Sequence, residues 1–512
     1  MGIIKTIKNF FMKEGAKMGF GQSLVHITDD ERISIDPEEY LRINRSFQYY
    51  ANKFPSVHYV NAEGQHKRRP LNSINATKRI AQRMASITFN EQCDISFKDK
   101  DVNNFLNKVL ADNDFKNKFE ENLEKGIVAG GIAARPYVDN DKIKIAWVRA
   151  NQFYPLRSNT NDISEAAIAS VTTRTENDTT IYYTLLEFHQ WIGNDTYQIT
   201  NELYRSDAKD DVGTRYPLNS IYPDLQDSVT LSGKQMVKPL FTYFKMPGAN
   251  NINVESPLGI GIVDNSRNIL DNLNRTHDDF MWEIRNGRRT VAVPQSMMRF
   301  DDNKHKPEFD TDTDVYVKLM GESHMAITDL TRDIRVQQFT DSINFWLKEL
   351  EGNVGMAPGT FSFDPKNGIQ TATAVVSENS LTYQTRSSIL TKVSAFIEGL
   401  CVSILELAMT KELFTNSENT FSDTSLDLHD IGISIHYDDG VFVDKDKQMD
   451  EDLKNVTAGA LSVKTFLSRN YGFNGDQLDE EMAQIQEERN QKDSFDTIPG
   501  RESTLLGGGD GD

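Results

Sequence analysis

The chain has 512 residues, 38% of them hydrophobic, with 28 Phe and 17 Tyr, apolar material for roughly two to four folded units. Its 56 Lys and Arg stand against 76 Asp and Glu, a net charge of −20, which argues against free-standing DNA affinity, because counterion release needs surplus cations. Cys93 and Cys401 are the only cysteines, too few and too distant for a disulfide framework or a thiolate metal site, and a reducing, intracellular place of synthesis fits.

Residues 1–36 read as an N-terminal segment. Met1-Gly2-Ile3-Ile4-Lys5-Thr6 matches the myristoylation pattern, and the stretch stays basic and amphipathic to Lys13. So short a pattern recurs by chance, and a short terminal helix, packed or loose, is the plainer reading. A helix follows over 37–52, with Pro37 in its first turn and Tyr40, Ile43, Phe47 and Tyr50 at helical spacing. The basic patch His66-Lys67-Arg68-Arg69 reads as a solvated loop, with a nucleic-acid or partner contact as the alternative. Further helices are expected over 72–89 and 102–125.

The period then shortens. Residues 132–137, 143–148, 168–174, 181–190 and 196–204 are β-rich runs between turns such as Asp139-Asn140-Asp141 and Gly193-Asn194-Asp195, and 239–245 adds another. An antiparallel sheet is predicted. Gly126, Gly130 and Gly131 fit neither a dinucleotide fingerprint nor a phosphate loop.

Ser256-Pro257 opens a predicted helix over 256–286. Leu258, Ile262, Ile269, Leu273, Phe280 and Ile284 cluster on one side, and Asp264, Asp271 and Asp278, seven apart, lie almost opposite. Alone, such aspartates read as a solvated face, although Trp282 on that side argues against plain water. Strands over 288–293 and 315–320 flank an acidic turn, and the helix 333–354 follows with Val336, Phe339, Ile343, Trp346, Leu347, Leu350 and Val354 in one stripe.

A loop then carries Gly355, Met356, Pro358, Gly359, Thr360, Phe361, Phe363, Asp364, Pro365, Lys366 and Gly368, which no regular helix can cross. It is expected to stand free. About 44 residues beyond Thr371 could form one helix of roughly 65 Å, polar at first and then apolar at Val393, Phe396, Ile397, Leu400, Ile404 and Leu407. Its richest apolar run, 395–409, includes Glu398 and Glu406 and falls short of the roughly 20 residues a membrane span needs. A strand is expected over 431–437 and helices over 445–455 and 463–469. The Gly/Asp/Ser-rich tail 491–512 is not expected to fold.

Signs of chemistry are absent. Ser232-Gly233-Lys234-Gln235 lacks the leading Gly and the hydroxyl of a phosphate loop. Asp310-Thr311-Asp312-Thr313-Asp314 begins like a calcium loop, but Val315 and Gly321 occupy its Gly and Glu positions. Nine histidines form no H-E-x-x-H, and no G-x-S-x-G elbow occurs. No catalytic residue, metal or cofactor is expected.

The order of helix, insertion, helix, Gly/Pro loop and long helix resembles the portal proteins of tailed double-stranded DNA bacteriophages, more narrowly those of long-tailed phages of Gram-positive hosts. Pro257-Leu258-Gly259, Gly355-Met356-Ala357-Pro358-Gly359-Thr360-Phe361, Thr371-Ala372-Thr373, Val443-Asp444-Lys445-Asp446 and Thr465-Phe466-Leu467-Ser468-Arg469-Asn470-Tyr471-Gly472 are phrases of that kind. The resemblance implies an α+β portal fold: a wing (37–255), stem helices (256–287 and 333–354), a small α/β clip (288–332), a tunnel loop (355–370), a long wing helix with linker (371–430) and a helical crown (431–490). It implies a ring, typically of twelve copies, at one capsid vertex, assembled in the host cytoplasm. Double-stranded DNA would pass through it in packaging and ejection. Partners would be the terminase large subunit, a head–tail adaptor, and the major capsid and scaffolding proteins. By that resemblance Asp264, Asp271 and Asp278 face the channel, Phe339, Ile343, Trp346 and Leu350 join the stem packing, and the loop residues from Gly355 to Lys366 touch DNA. A nucleic-acid-processing enzyme or a membrane-associated scaffold protein is the alternative.

Overall fold

The computed structural model describes residues 23–496 except 62–63, 160–161, 194–195, 233–235, 288–290, 293–298, 302–305, 309–327, 330–332, 364–378, 417–418, 423–425, 438–444 and 474–475. The myristoylation-like start and the predicted strand 315–320 therefore lie outside the described residues. The chain divides into two compact units, Met1–Asp439 and Gly440–Asp512.

In the large unit, helix α1 (Pro37–Tyr50) starts where the Asp36 carboxylate accepts the Glu38 N–H. Helices α2 (Ala76–Thr88), α3 (Lys100–Asp112) and α4 (Phe115–Ala129) follow, the last closed by Gly130 at φ 91°. Strands β1 (Ser23–Leu24), β2 (Val57–Val60), β3 (His66–Arg69) and β4 (Asp94–Phe97) interleave with them. The basic patch is thus a strand paired antiparallel to β2, not the solvated loop expected.

The central β-rich region forms two antiparallel sheets rather than one. Strands β5 (Gly131–Asp139) and β6 (Lys142–Arg149) pair with β13 (Thr242–Lys245). A larger sheet contains β7 (Phe153–Ser158), β8 (Ile163–Glu176), β9 (Thr179–Trp191), β10 (Thr196–Ser206), β11 (Gly213–Tyr216) and β12 (Ser228–Ser232). Its order is β1-β11-β10-β9-β8-β7, with β12 also on β10. The predicted turn at Asn140-Asp141, and a further one at Asn177-Asp178 that the sequence reading did not mark, have positive φ at both residues, the geometry two-residue hairpin turns require; Asn194 and Asp195 of the other predicted turn lie outside the described residues.

Helices α5 (Ile262–Asn286) and α6 (Val336–Asn353) flank the insertion. Within it, β14 (Val291–Ala292) pairs with β17 (Thr328–Asp329), and β15 (Arg299–Asp301) with β16 (Lys306–Glu308). Helix α7 (Ser380–Met409) is the described part of the long helix. Ile389, Val393, Phe396, Ile397, Leu400, Ile404 and Leu407 are all buried on it, while the 380–388 turns bury only Thr382. By length and composition α7 could cross a membrane, but most of its apolar stretch is inside the protein.

One core packs Tyr40 and Ile43 of α1 on Phe153, Ala167, Phe188 and Tyr204 of the large sheet. On the other side, Phe119, Trp147 and Phe396 stack at 5.4–6.2 Å, joining α4, β6 and α7.

Strand β18 (Ile433–His436) pairs with β4, so it belongs to the large unit rather than to the expected crown. The C-terminal unit contains α8 (Lys445–Thr457), α9 (Val463–Tyr471) and α10 (Asp476–Asp496), the last continuing past Gln491 into the predicted tail. Phe466, Leu467 and Leu478 form its core, and the buried Asp452 accepts hydrogen bonds from Arg469 and Asn470, each at 3.0 Å. The phrase around Arg469 thus serves a local fold.

Candidate functional site

The helix pair α5–α6 and the loop after it sit on a root of crossing backbones. Helix α5 begins at Ile262, not at Ser256. The Ser256 hydroxyl is engaged elsewhere, donating to Glu39 at 3.1 Å and accepting the Leu258 N–H at 3.3 Å. Residues 257–261 instead pass over the turn between α4 and β5. A Cβ on Gly130 would lie 2.3 Å from the Gly259 carbonyl oxygen, one on Gly259 would lie 2.1 Å from that of Gly130, and one on Gly261 would lie 1.9 Å from that of Val128. No side chain fits between two backbones so close. That accounts for the glycine in Pro257-Leu258-Gly259.

The aspartates of α5 do not form a free acidic face. The Asp264 side chain, 3% exposed, caps the helix by accepting the Gly261 N–H at 2.7 Å and pairs with Arg42 at 2.5 Å. Arg42 also reaches Glu39 and the Gly259 carbonyl, each at 2.9 Å. Asp271, 40% exposed, accepts the Tyr49 hydroxyl at 2.5 Å. Asp278, 4% exposed, takes a bidentate Arg69 at 2.5 and 2.7 Å and both the backbone and side-chain N–H groups of Asn72 at 3.0 Å. The expectation that these residues face a channel is therefore corrected for Asp264 and Asp278. Their seven-residue spacing lays a row of acceptors under α1, the β2–β3 hairpin and the loop after it, which supply Arg42 and Tyr49, Arg69, and Asn72 as donors.

The electrostatics follow this burial. Burial pushes the Asp264 carboxyl above its ordinary value in spite of Arg42. Burial would also raise Asp278, but the Arg69 and Asn72 bonds outweigh it and hold that carboxyl below the usual range. The Tyr49 hydroxyl is pushed up to about 12 by burial and by Asp271. Trp282 packs on Tyr59 at 5.2 Å, with the Arg69 guanidinium 4.5 Å over its ring.

The apolar seam is real but incomplete within one chain. Leu258, Ile262, Leu273 and Leu350 are buried, and Phe280 stacks on Phe339 at 5.2 Å. Ile269, Phe280, Phe339, Ile343, Trp346 and Leu347 are only half-buried, and Ile284, Val336 and Phe345 are exposed. Arg335 binds Glu283, and Asn353 binds Ser266 at 2.8 Å, joining the two helices at both ends.

The loop does not stand free over its described part. Met356 and Ala357 are buried, Met356 lining a small cavity together with Met84, Ile87, Thr382 and Ile389. Gly355 (φ 76°) and Gly359 (φ 88°) adopt the conformation that favours glycine. Pro358 is exposed, Thr360 and Phe361 are half-buried, and Phe363 is 73% exposed. Asp364 and Lys366 lie outside the described residues. The loop's first half is packed because Glu351, a residue sequence reasoning passed over, is buried beneath it and accepts its N–H groups.

Among the described residues no cluster of His, Cys, Asp or Glu could hold a metal. The arrangement is a helix pair whose α5 is gripped by α1, the β2–β3 hairpin and Asn72, with half-covered apolar flanks. Arg42, Tyr49, Asn72 and Glu351 were not singled out in the sequence. Only the patch ending at Arg69 gave a signal.

Residues 29–494 match the protein family described as "Phage portal protein, SPP1 Gp6-like". Among solved structures, the chain is similar to one from "Neck of native GTA particle computed with C12 symmetry", at 10% identity and a TM-score of 0.43, covering 86% of this chain and 94% of that one. No curated protein matches.

Proposed function

The chain belongs to the SPP1 Gp6-like family of phage portal proteins, and from that premise we propose that it assembles into a closed ring, of about twelve copies as portal rings typically have, whose axial channel conducts double-stranded DNA into and out of the capsid. The observation that carries this reading is the half-covered flank of the helix pair. Phe339, Ile343, Trp346 and Leu347 are half-exposed in one chain while Val336 and Phe345 are open. Apolar surface of this kind on a long helix pair calls for a neighbour, and heterologous contacts that close give a ring without free edges.

In this reading α5 and α6 are the stem, residues 288–332 the clip, 355–370 the tunnel loop, the N-terminal helices, sheets and α7 the wing, and α8 to α10 the crown. The excess of acidic residues keeps phosphate from adhering to the conduit. ATP hydrolysis is left to a separate motor, the terminase large subunit, and after packaging a head–tail adaptor takes its place. Heads assembled with the chain are expected to fill with DNA while the purified chain hydrolyses no ATP. Heads that fill equally well without it would overturn the proposal.

A further inference from the structure

The loop root is fastened to two different bodies. After α6 the chain reverses at Gly355 and runs back along its own helix, bringing Phe363 beside Asn344. Glu351, 1% exposed, accepts the N–H groups of Phe361 and of Ser362 (2.7 Å) on one carboxylate oxygen. Its other oxygen accepts the Gly359 N–H at 3.0 Å and the Ser362 hydroxyl at 2.7 Å. Nearer the start of α6, Asn344 closes a two-bond ring on Phe363, donating to its carbonyl at 2.9 Å and accepting its N–H at 2.7 Å. On the other side, Ala357 donates to Thr382 of α7 at 2.8 Å, and the buried Met356, whose N–H donates to the Glu351 carbonyl at 2.8 Å, lines a small cavity with residues of α2 and α7. Across Pro358 and Gly359 the two attachments are themselves joined, since Thr360 donates its N–H (3.3 Å) and its hydroxyl (2.6 Å) to the Ala357 carbonyl.

We propose that Glu351 and Asn344 are positioning residues that bind residues 359–363 to α6, so that this stretch of the loop follows α6 when α6 and α7 shift against each other. Six hydrogen bonds tie residues 359–363 to Glu351 and Asn344, against one from Ala357 to Thr382 on α7. Whatever moves α6 then carries Phe363 with it. The functional half of this inference rests on the portal reading, whereas the mechanical half does not.

The test uses the assembled full-length protein and amide hydrogen exchange. In Glu351→Ala the amides of Gly359, Phe361 and Ser362 are expected to exchange about tenfold faster or more, while protection along the rest of α6 and α7 is kept. Glu351→Gln keeps an oxygen for Phe361 and Ser362 but turns an NH2 group toward Gly359, so loss confined to Gly359 is expected. Asn344→Leu should release Phe363 alone. DNA filling should fall in Glu351→Ala and recover partly in Glu351→Gln, with ring mass unchanged. Unchanged exchange in Glu351→Ala, or loss spread evenly over α6 and α7, would overturn the proposal. Unchanged filling with the expected exchange would overturn its functional half, and wild-type protein that never supports filling would instead overturn the portal reading.

Discussion

Asp278→Ala is the sharpest probe of the grip on α5. The substitution leaves the Arg69 guanidinium, 14% exposed, without its bidentate partner, and frees two N–H groups of Asn72. Removing one member of a buried pair costs about 3–5 kcal/mol. Arg69 retains some solvent and its place over Trp282, so the lower end, about 3 kcal/mol, is expected. Arg69→Ala should cost about 2 kcal/mol, since Asn72 still serves the carboxylate. The double variant should cost less than the sum of the single variants by about 2 kcal/mol. Hydrogen exchange of the β2–β3 amides in the assembled protein reads this locally, where 3 kcal/mol is roughly a 100-fold loss of protection. Single variants costing under about 0.5 kcal/mol and adding without coupling would match a solvent-screened pair. The aspartates would then face water after all, and the β2–β3 hairpin would be held to α5 by something else.

Three further outcomes follow from the same contacts. Asp278 has a carboxyl held below the usual range, so its contribution is present above about pH 4 and is lost as pH falls through its folded value; the β2–β3 amides should lose protection in acid, and in Asp278→Asn that acid step should shrink. Glu406, buried with its carboxyl pushed up to about 7, opposes folding increasingly as pH rises from about 4.5 to 7. Glu406→Gln, which keeps an acceptor for the Val237 and Lys238 N–H groups, should raise denaturant stability at pH 8 relative to pH 5 by on the order of 3 kcal/mol or less. Gly259→Ala should destabilise the protein by more than about 2 kcal/mol, since its Cβ meets the Gly130 backbone, whereas Gly352→Ala, with nothing within 4 Å, should be close to neutral in the same denaturation assay.

Periodicity made most of the helices legible, because an apolar stripe such as Tyr40, Ile43 and Phe47 on α1 is a local property of the chain. The hairpin turns at Asn140-Asp141 and Asn177-Asp178 carry their own backbone demand and were equally open to reading in the first case. What stayed hidden depends on partners distant in sequence. Asp264 and Asp278 look like a solvated spine until Arg42 and Arg69, 222 and 209 residues away, are brought against them. Strand β4 is four residues long and is a strand because β18 pairs with it from the far end of the unit. Ser256-Pro257 has the composition of a helix start, yet the crossing of Gly259 on Gly130 holds the backbone extended there. The expectation that the loop stands free rested on Gly and Pro content, which reports freedom from regular structure but says nothing of a buried carboxylate such as Glu351 below it.

The native mass of the purified full-length chain tests the ring most directly. With a protomer of 58.1 kDa, a ring of about twelve copies should appear as one dominant closed species near about 700 kDa, stable across salt and concentration. A species that stays at 58.1 kDa under all those conditions would contradict it.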